Sequence, residues 1–205
     1  MAPTSALASG GGDAGRLAAA LRRSPLLMEA LRVAREVDAP DWLISAGAIR
    51  DTVWDLVHER PPTATPRDID VGFFDPSDLT RERDEAVEAA LRARAPDLPW
   101  EAKNQAAVHL WYPGTFGTEV PPFQCSADAV ATFPETASCV GARLLPDDDM
   151  LVVGPHGLGD LFACVCRHNP TRVPRGVYER RVAEKRWFDR WPRLRIVSAT
   201  APSPE

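Results

Sequence analysis

Cysteine is scarce. Four thiols, Cys125, Cys139, Cys164 and Cys166, in 205 residues are too few for a disulfide scaffold, so a reduced, cytoplasmic protein is expected. Long apolar runs are missing as well. The most apolar stretch, residues 150–166, is interrupted by Pro155, His156 and Asp160 and falls short of the ~20 apolar residues that a membrane span requires. No membrane role is expected. The opening Met-Ala-Pro-Thr-Ser lacks the basic-then-apolar pattern of a secretion signal. Nor does one charge dominate: 24 Lys+Arg against 29 Asp+Glu gives −5, which argues against a protein that coats nucleic acid or an anionic membrane, while leaving local patches open. Internal repeats and low-complexity tracts are absent too.

The composition that remains is globular, with 44% hydrophobic and 26% charged residues, enough for a sizeable core. Residues 1–14 and 198–205 are small and polar, offer little apolar surface against the entropy of ordering, and are expected to be flexible tails. Residues 15–197 read as a single domain. Its core covers about 41–112 and a C-terminal extension covers 113–197.

Leu17 and Leu21 suit a first helix. Ser24-Pro25 is a cap and first-turn pair for a second, which carries Leu27, Leu31, Ala34 and Val37 on one face. Residues 41–46 form a short apolar run ending at Gly47, followed by Ile49, Val53, Leu56 and Val57 at helical spacing. Strand, glycine turn and helix are predicted in that order. Residues 68–75 are β-rich, 79–91 are helical between Ser77 or Thr80 and Pro96, and 100–112 read as another strand. The order α, α, β, α, β, α, β predicts an α/β (α+β) fold, a small central mixed sheet flanked by helices. Beyond Pro113 the pattern predicts a helical turn over 126–132 and a hairpin of 138–145 with 150–153. A helix over 157–166 and a basic helix over 178–191, ended by Pro192, complete the chain.

The most informative fragment is Asp68-Ile69-Asp70-Val71. On a strand, residues two apart share a face, so both carboxylates point one way while Ile69 and Val71 point to the core. Adjacent like charges repel, yet hard oxygen donors on one rigid platform are what a divalent metal requires. A pair of solvated acids at a strand end is the plainer reading. Upstream, Gly47-Ala48 sits between a predicted strand and a helix N-terminus, where free N–H groups and the helix dipole favour phosphate. Arg50 either forks onto a phosphate or pairs with Asp51 or Glu59.

Ala46-Gly47-Ala48-Ile49-Arg50-Asp51 followed by Asp68-Ile69-Asp70-Val71 resembles the polymerase-β-type nucleotidyltransferase superfamily, and most closely an uncharacterised bacterial branch of it. Asp-Ile-Asp-Val-Gly-Phe-Phe-Asp75, Trp-Glu-Ala-Lys-Asn-Gln-Ala106 with His109, Phe-Pro-Glu-Thr-Ala137, Gly157-Leu-Gly-Asp-Leu161 and Lys185-Arg-Trp187 extend the likeness over roughly residues 25–195. The resemblance implies a polymerase-β-like fold with a helical C-terminal part. It implies Mg²⁺- or Mn²⁺-dependent transfer of a nucleoside monophosphate from an NTP, ATP foremost, to an acceptor that the sequence does not name. Asp68 and Asp70 match the metal-binding pair and Glu101 the third acid; all three are the implied catalytic residues. Gly47 and Ala48 would cradle phosphates, with Arg50 and Lys103 adding charge. Asn104, Gln105 and His109 would touch base or acceptor, or else tie strand to loop. Ala48 departs from the usual Gly or Ser, keeping a backbone donor but no hydroxyl. A catalytically silent relative that binds nucleotide, RNA or a protein partner is therefore the second reading.

Three further features are weighed against plainer roles. Cys164, Cys166 and His168 could be zinc ligands, but they lack a partner pair at standard spacing and read as buried thiols beside a surface His. Gly154-Pro155-His156-Gly157-Leu158-Gly159 fits no phosphate-loop spacing and reads as a turn. Residues 167–195 hold ten Lys+Arg against three Asp+Glu, a local charge of +7 that is either a solvated face or a contact for RNA or phosphate.

Overall fold

The computed structural model describes residues 6–8, 12–62 and 66–197. Its first half runs β1 (Ala6–Ala8), α1 (Gly12–Leu21), α2 (Pro25–Val37), β2 (Leu43–Ser45), α3 (Gly47–Val57), β3 (Ile69–Phe73), α4 (Arg81–Arg94) and β4 (Trp100–Asn104). Its second half runs α5 (Val108–Phe116), α6 (Ser126–Val130), β5 (Gly141–Leu144), β6 (Met150–Val153), α7 (Gly159–Phe162), β7 (Val165–Arg167), α8 (Arg175–Lys185), α9 (Trp187–Arg190) and β8 (Arg195–Val197).

Six strands form one mixed sheet in the order β1-β6-β5-β2-β3-β4. Only β3 and β4 are parallel neighbours in it, because α4 provides the crossover that parallel strands need. The other pairs are antiparallel, and β5 and β6 form the hairpin that residues 138–153 predict. Ile69, Val71 and Phe73 of β3, with Trp100 and Ala102 of β4, are buried in one core with the apolar faces of α1, α2 and α3. Ser24 caps α2 as expected, its Oγ accepting the Leu27 N–H at 3.3 Å. Every second residue of β3 and β4 therefore faces the other side of the sheet, where the chemistry lies.

The C-terminal part docks through tryptophan. Trp54 meets Trp187 and Trp191 edge-on, with ring centroids 5.9 and 5.1 Å apart, and the Trp191 Nε1–H donates to Asp55 Oδ1 at 2.9 Å. Each ring buries about 150–250 Å², a gross gain of about 4–6 kcal/mol before ordering costs. Arg190 adds an ion pair to the same Asp55 carboxylate at 2.6 Å. No described helix is long and apolar enough to cross a membrane.

Several local expectations change. The expected strand over 100–112 stops at Asn104, whose side chain accepts the Ala106 N–H and turns the chain into a short 3-10 turn and then α5. The expected helix over 157–166 ends at Phe162; Cys164 takes a left-handed φ of 49°, and β7 pairs in parallel with β8, a partner some thirty residues away that local pattern does not show. The basic helix starts earlier, at Arg175, and breaks at Arg186, whose φ of 46° redirects the chain so that Trp187 enters the core. Within the expected N-terminal tail, β1 adds to the edge of β6 and α1 begins at Gly12. Edge pairing uses backbone groups, so small residues suffice for it. The remainder of that tail and residues 198–205 lie outside the described residues.

Candidate active site

Strand register places the site. Asp70 lies opposite Ser45 across the antiparallel β2–β3 pair and opposite Glu101 across the parallel β3–β4 pair. Ser45, Asp70 and Glu101 thus form one row on the face away from the core. Leu43, Gly72 and Lys103 form the next row. Such neighbours sit about 5 Å apart, close enough for carboxylates to feel one another.

The turn from β2 into α3 supplies the fourth component. Ala46 holds a left-handed φ of 52° with ψ −116°, a strained conformation of the kind concentrated at functional sites. It ends β2 abruptly and starts α3 at Gly47. No side chain caps that N-terminus, so its first N–H groups are open to an anion. A side chain on Gly47 would meet Asp68 Oδ1 at 3.6 Å, which sets Asp68 against the turn. Gly47, Asp68, Asp70 and Glu101 are brought together.

The carboxyl of Asp70 is pushed up to about 7, first by burial, then by the charges of Asp68 and Glu101, against the opposing pull of Arg181 and Arg50. The three acids share one field. None of their carboxylates accepts a hydrogen bond or forms an ion pair among the described residues. Oxygen donors, uncommitted and mutually repelling, suit a hard divalent cation. The described residues nevertheless contain no group of three ligating side chains gathered closely enough to hold an ion. Asp70 and Glu101 stand side by side across the β3–β4 pair, while Asp68 lies two residues back along the chain, just before β3 begins.

The other expected residues separate into two groups. Lys103 shares the Glu101 face, lines the cavity over the row, and pairs at 3.7 Å with Asp84. Asn104 does not serve a ligand. Its Oδ1 accepts from the Asp75 and Ala106 N–H groups, and its Nδ2 donates to the Asp75 and Asp78 carbonyls. All four amide capacities are spent tying strand to loop. Arg50 is buried behind the turn, held by Asp51 at 2.7 Å, by Ser138 Oγ at 2.8 Å and over the Trp187 ring at 4.5 Å. It takes the ion-paired role of the two foreseen. Gln105 donates to the Lys103 carbonyl, while His109 Nδ1 is buried without a partner among the described residues.

The sequence offered Lys185 only as part of the Lys185-Arg-Trp187 likeness and Arg181 only as part of the basic run, with no role for either, and α8 brings both to the cavity over the acids. Burial first, then Arg181, Arg67 and Arg50, lower the Lys185 ammonium below its ordinary range, with Asp68 opposing. Several cations thus surround Lys185, with Asp68 among them. Their signal was the +7 of residues 167–195, within which five of the ten cations are paired as follows. Arg167, Arg175, Arg181, Arg186 and Arg190 pair with Asp160, Glu179, Glu135, Asp189 and Asp55.

A cavity of about 540 Å³ opens over the row, roofed by α5, α6 and α8. A family profile described as nucleotidyltransferase matches residues 32–196. The chain belongs to this nucleotidyltransferase family. Its fold matches a solved structure described as a CCA-adding enzyme head domain, with a TM-score of 0.76 and 29% identity over 90% of this chain and 96% of that one. A second, a CCA-adding enzyme described in complex with CTP, matches at TM-score 0.56 and 15% identity; 90% of this chain covers 43% of that one. No curated protein matches the sequence.

The remaining motif is structural. Burial raises the Cys164 and Cys166 thiols to about 11 and Cys139 to about 12, so all three are protonated at neutral pH and are poor zinc ligands. The Nε2 atom of His168 is taken by the Val173 carbonyl. With a thiol-specific disulfide reagent at pH 8, Cys125 alone, which is half-exposed, is expected to react in the native state. The other three should react only after denaturant. Two or more prompt thiols would contradict the buried assignment.

Proposed function

We propose that the protein transfers a nucleoside monophosphate from an NTP, foremost ATP, to an acceptor hydroxyl, with release of pyrophosphate. The observation that carries this reading is the row: Asp70 directly opposite Glu101, with Asp68 beside the uncapped N-terminus of α3. Asp68, Asp70 and Glu101 would hold Mg²⁺ or Mn²⁺, which when bound supplies charge stabilisation for the triphosphate and its leaving group. The N–H groups of Gly47 and Ala48 receive the β- and γ-phosphates, a role that needs no hydroxyl at Ala48. Lys185, Arg181 and Lys103 flank them, and their fixed charges hold the α-phosphorus in line with the incoming oxygen. Arg50 acts from beneath, fixing the turn through Asp51 and Ser138. Family membership supports transfer chemistry, and Ala48 keeps the silent, nucleotide-binding reading as the alternative.

The test has two arms. Mg²⁺ with each triphosphate should raise the unfolding temperature of wild type, by about 2.7 kcal/mol in free energy at a hundredfold excess over Kd, and leave Asp68→Asn/Asp70→Asn unmoved. Equal stabilisation of both proteins removes the metal assignment. Incubation with α-labelled triphosphates and bacterial lysate should then yield a metal-dependent labelled product. Binding without product from any triphosphate selects the silent reading.

A further inference from the structure

The cavity extends well past the acids into a compartment that phosphate chemistry does not use. Its walls include Trp111, Tyr112, Phe116, Phe123, Val130 and Phe133. Tyr112 packs against Phe116 at 4.5 Å between centroids, and Arg172 lies over Phe123 and Tyr112 at 4.3 and 4.9 Å. That guanidinium also donates to the Pro121 carbonyl, so it serves as a flat lid more than as a free charge. Deep in the wall sits Ser126, only 1% exposed. Its backbone N–H is taken by Asp41 Oδ2, the residue lines the cavity, and its buried Oγ has no hydrogen-bond partner among the described residues. A buried hydroxyl left unpaired is costly, and a ligand group that meets it is correspondingly well rewarded.

These walls select their occupant. A sugar or a phosphodiester backbone would bring many polar atoms to aromatic and aliphatic surfaces that cannot pair them. A planar ring stacks on Tyr, Trp and a capped guanidinium, and needs one hydrogen-bonding edge for Ser126. Gly72, in the row next to Asp70, keeps the floor between compartment and acids low; a side chain there would meet Gln105 at 3.4 Å.

We propose that the compartment is a binding site for a planar aromatic ring bearing one hydrogen-bonding group directed at Ser126 Oγ. The inference rests on the nucleotidyl-transfer reading for its adjacency to the triphosphate. The ring comes either from the donor's base or from an aromatic small-molecule acceptor, and competition separates the two sources.

Calorimetric titration of the full chain tests it, using the four common nucleosides, a set of phenols, indoles and quinolines, and Mg-tripolyphosphate. The variants are Ala129→Phe, which fills the compartment, and Ser126→Ala. At least one ring ligand is expected to bind wild type, to weaken at least thirtyfold in Ala129→Phe and about tenfold in Ser126→Ala. Mg-tripolyphosphate should bind all three proteins alike. A ring that competes with ATP marks the donor's base, and one that binds alongside ATP marks the acceptor. Absence of any ring ligand, or equal binding by the variants, overturns the proposal. If Ala129→Phe does not fold, Ser126→Ala decides alone. Failure of Mg-tripolyphosphate to bind wild type would count against the transfer reading and leave the ring site standing.

Discussion

Replacing Asp70 by Asn is expected to move activity and stability in opposite directions. The carboxyl sits at about 7 because burial, Asp68 and Glu101 all disfavour its charge. A carboxyl raised in the fold above its unfolded range costs nothing below pH 4, costs progressively more as pH climbs toward 7, and carries the full cost above it. The distance from its ordinary 3.8 amounts to about 4 kcal/mol at full weight, and water reaching a half-buried group cuts this to about 2–3 kcal/mol. In EDTA at pH 8, Asp70→Asn should therefore be more stable than wild type by about that amount, with the gap closing near pH 4. Denaturant titrations at the two pH values measure it. With metal and triphosphate present, nucleotide transfer by the same variant should fall on the order of 10³-fold, equivalent to about 4 kcal/mol of lost transition-state stabilisation. A variant less stable than wild type at pH 8 would remove the shared-field account of the three acids.

The same residues show how much was legible in the chain. Period-two alternation through Asp68-Ile69-Asp70-Val71 was enough to send Ile69 and Val71 to the core and Asp70 away from it. Glu101 followed, because alternation on the next strand separates it from Trp100 and Ala102. The glycine turn was legible for a similar reason: a strand stopping at Gly47 before helical spacing leaves few other geometries. What stayed hidden depended on partners distant in sequence. Asn104 looks like a ligand-facing amide until Asp75 and Asp78 arrive to consume it. Arg181 and Lys185 belong to a basic run that charge alone left open between a solvated face and a phosphate contact, and the docking of Trp187 and Trp191 on Trp54 helps bring α8 over the acids. Charge counting located the segment but not the residues, since most of its arginines are occupied by acids of their own. The strand expected over 100–112 is cut short where the Asn104 side chain caps the next turn. Local propensity loses where one hydrogen bond redirects the chain.

Glu135 is expected to be the most costly single polar residue to lose. It is wholly buried, and its carboxylate accepts from Arg181 Nε at 2.7 Å and Ser138 Oγ at 2.9 Å. Ser138 Oγ in turn accepts from Arg50 Nη1 at 2.8 Å, so one chain of contacts links α8 to α3, the helix that follows the Ala46–Gly47 turn. Breaking a buried ion pair by removing one partner costs about 3–5 kcal/mol, because the other charge is stranded. Arg181 is one-third exposed and can find water, which places Glu135→Ala at the lower end, about 3 kcal/mol, or a fall of about 6–12 °C in Tm. Glu135→Gln keeps the volume and the Ser138 contact and should cost less than half as much. The functional readout differs from the structural one: in Glu135→Gln the loosened Arg181 should raise KM for the triphosphate more than it lowers kcat, since ground-state binding, not the acid row, is what α8 provides. Thermal melts with paired steady-state kinetics separate these effects. A loss below about 1 kcal/mol in Glu135→Ala would mean that the helix is held by its tryptophans alone and that the buried charge contributes nothing to placing Arg181 over Asp70.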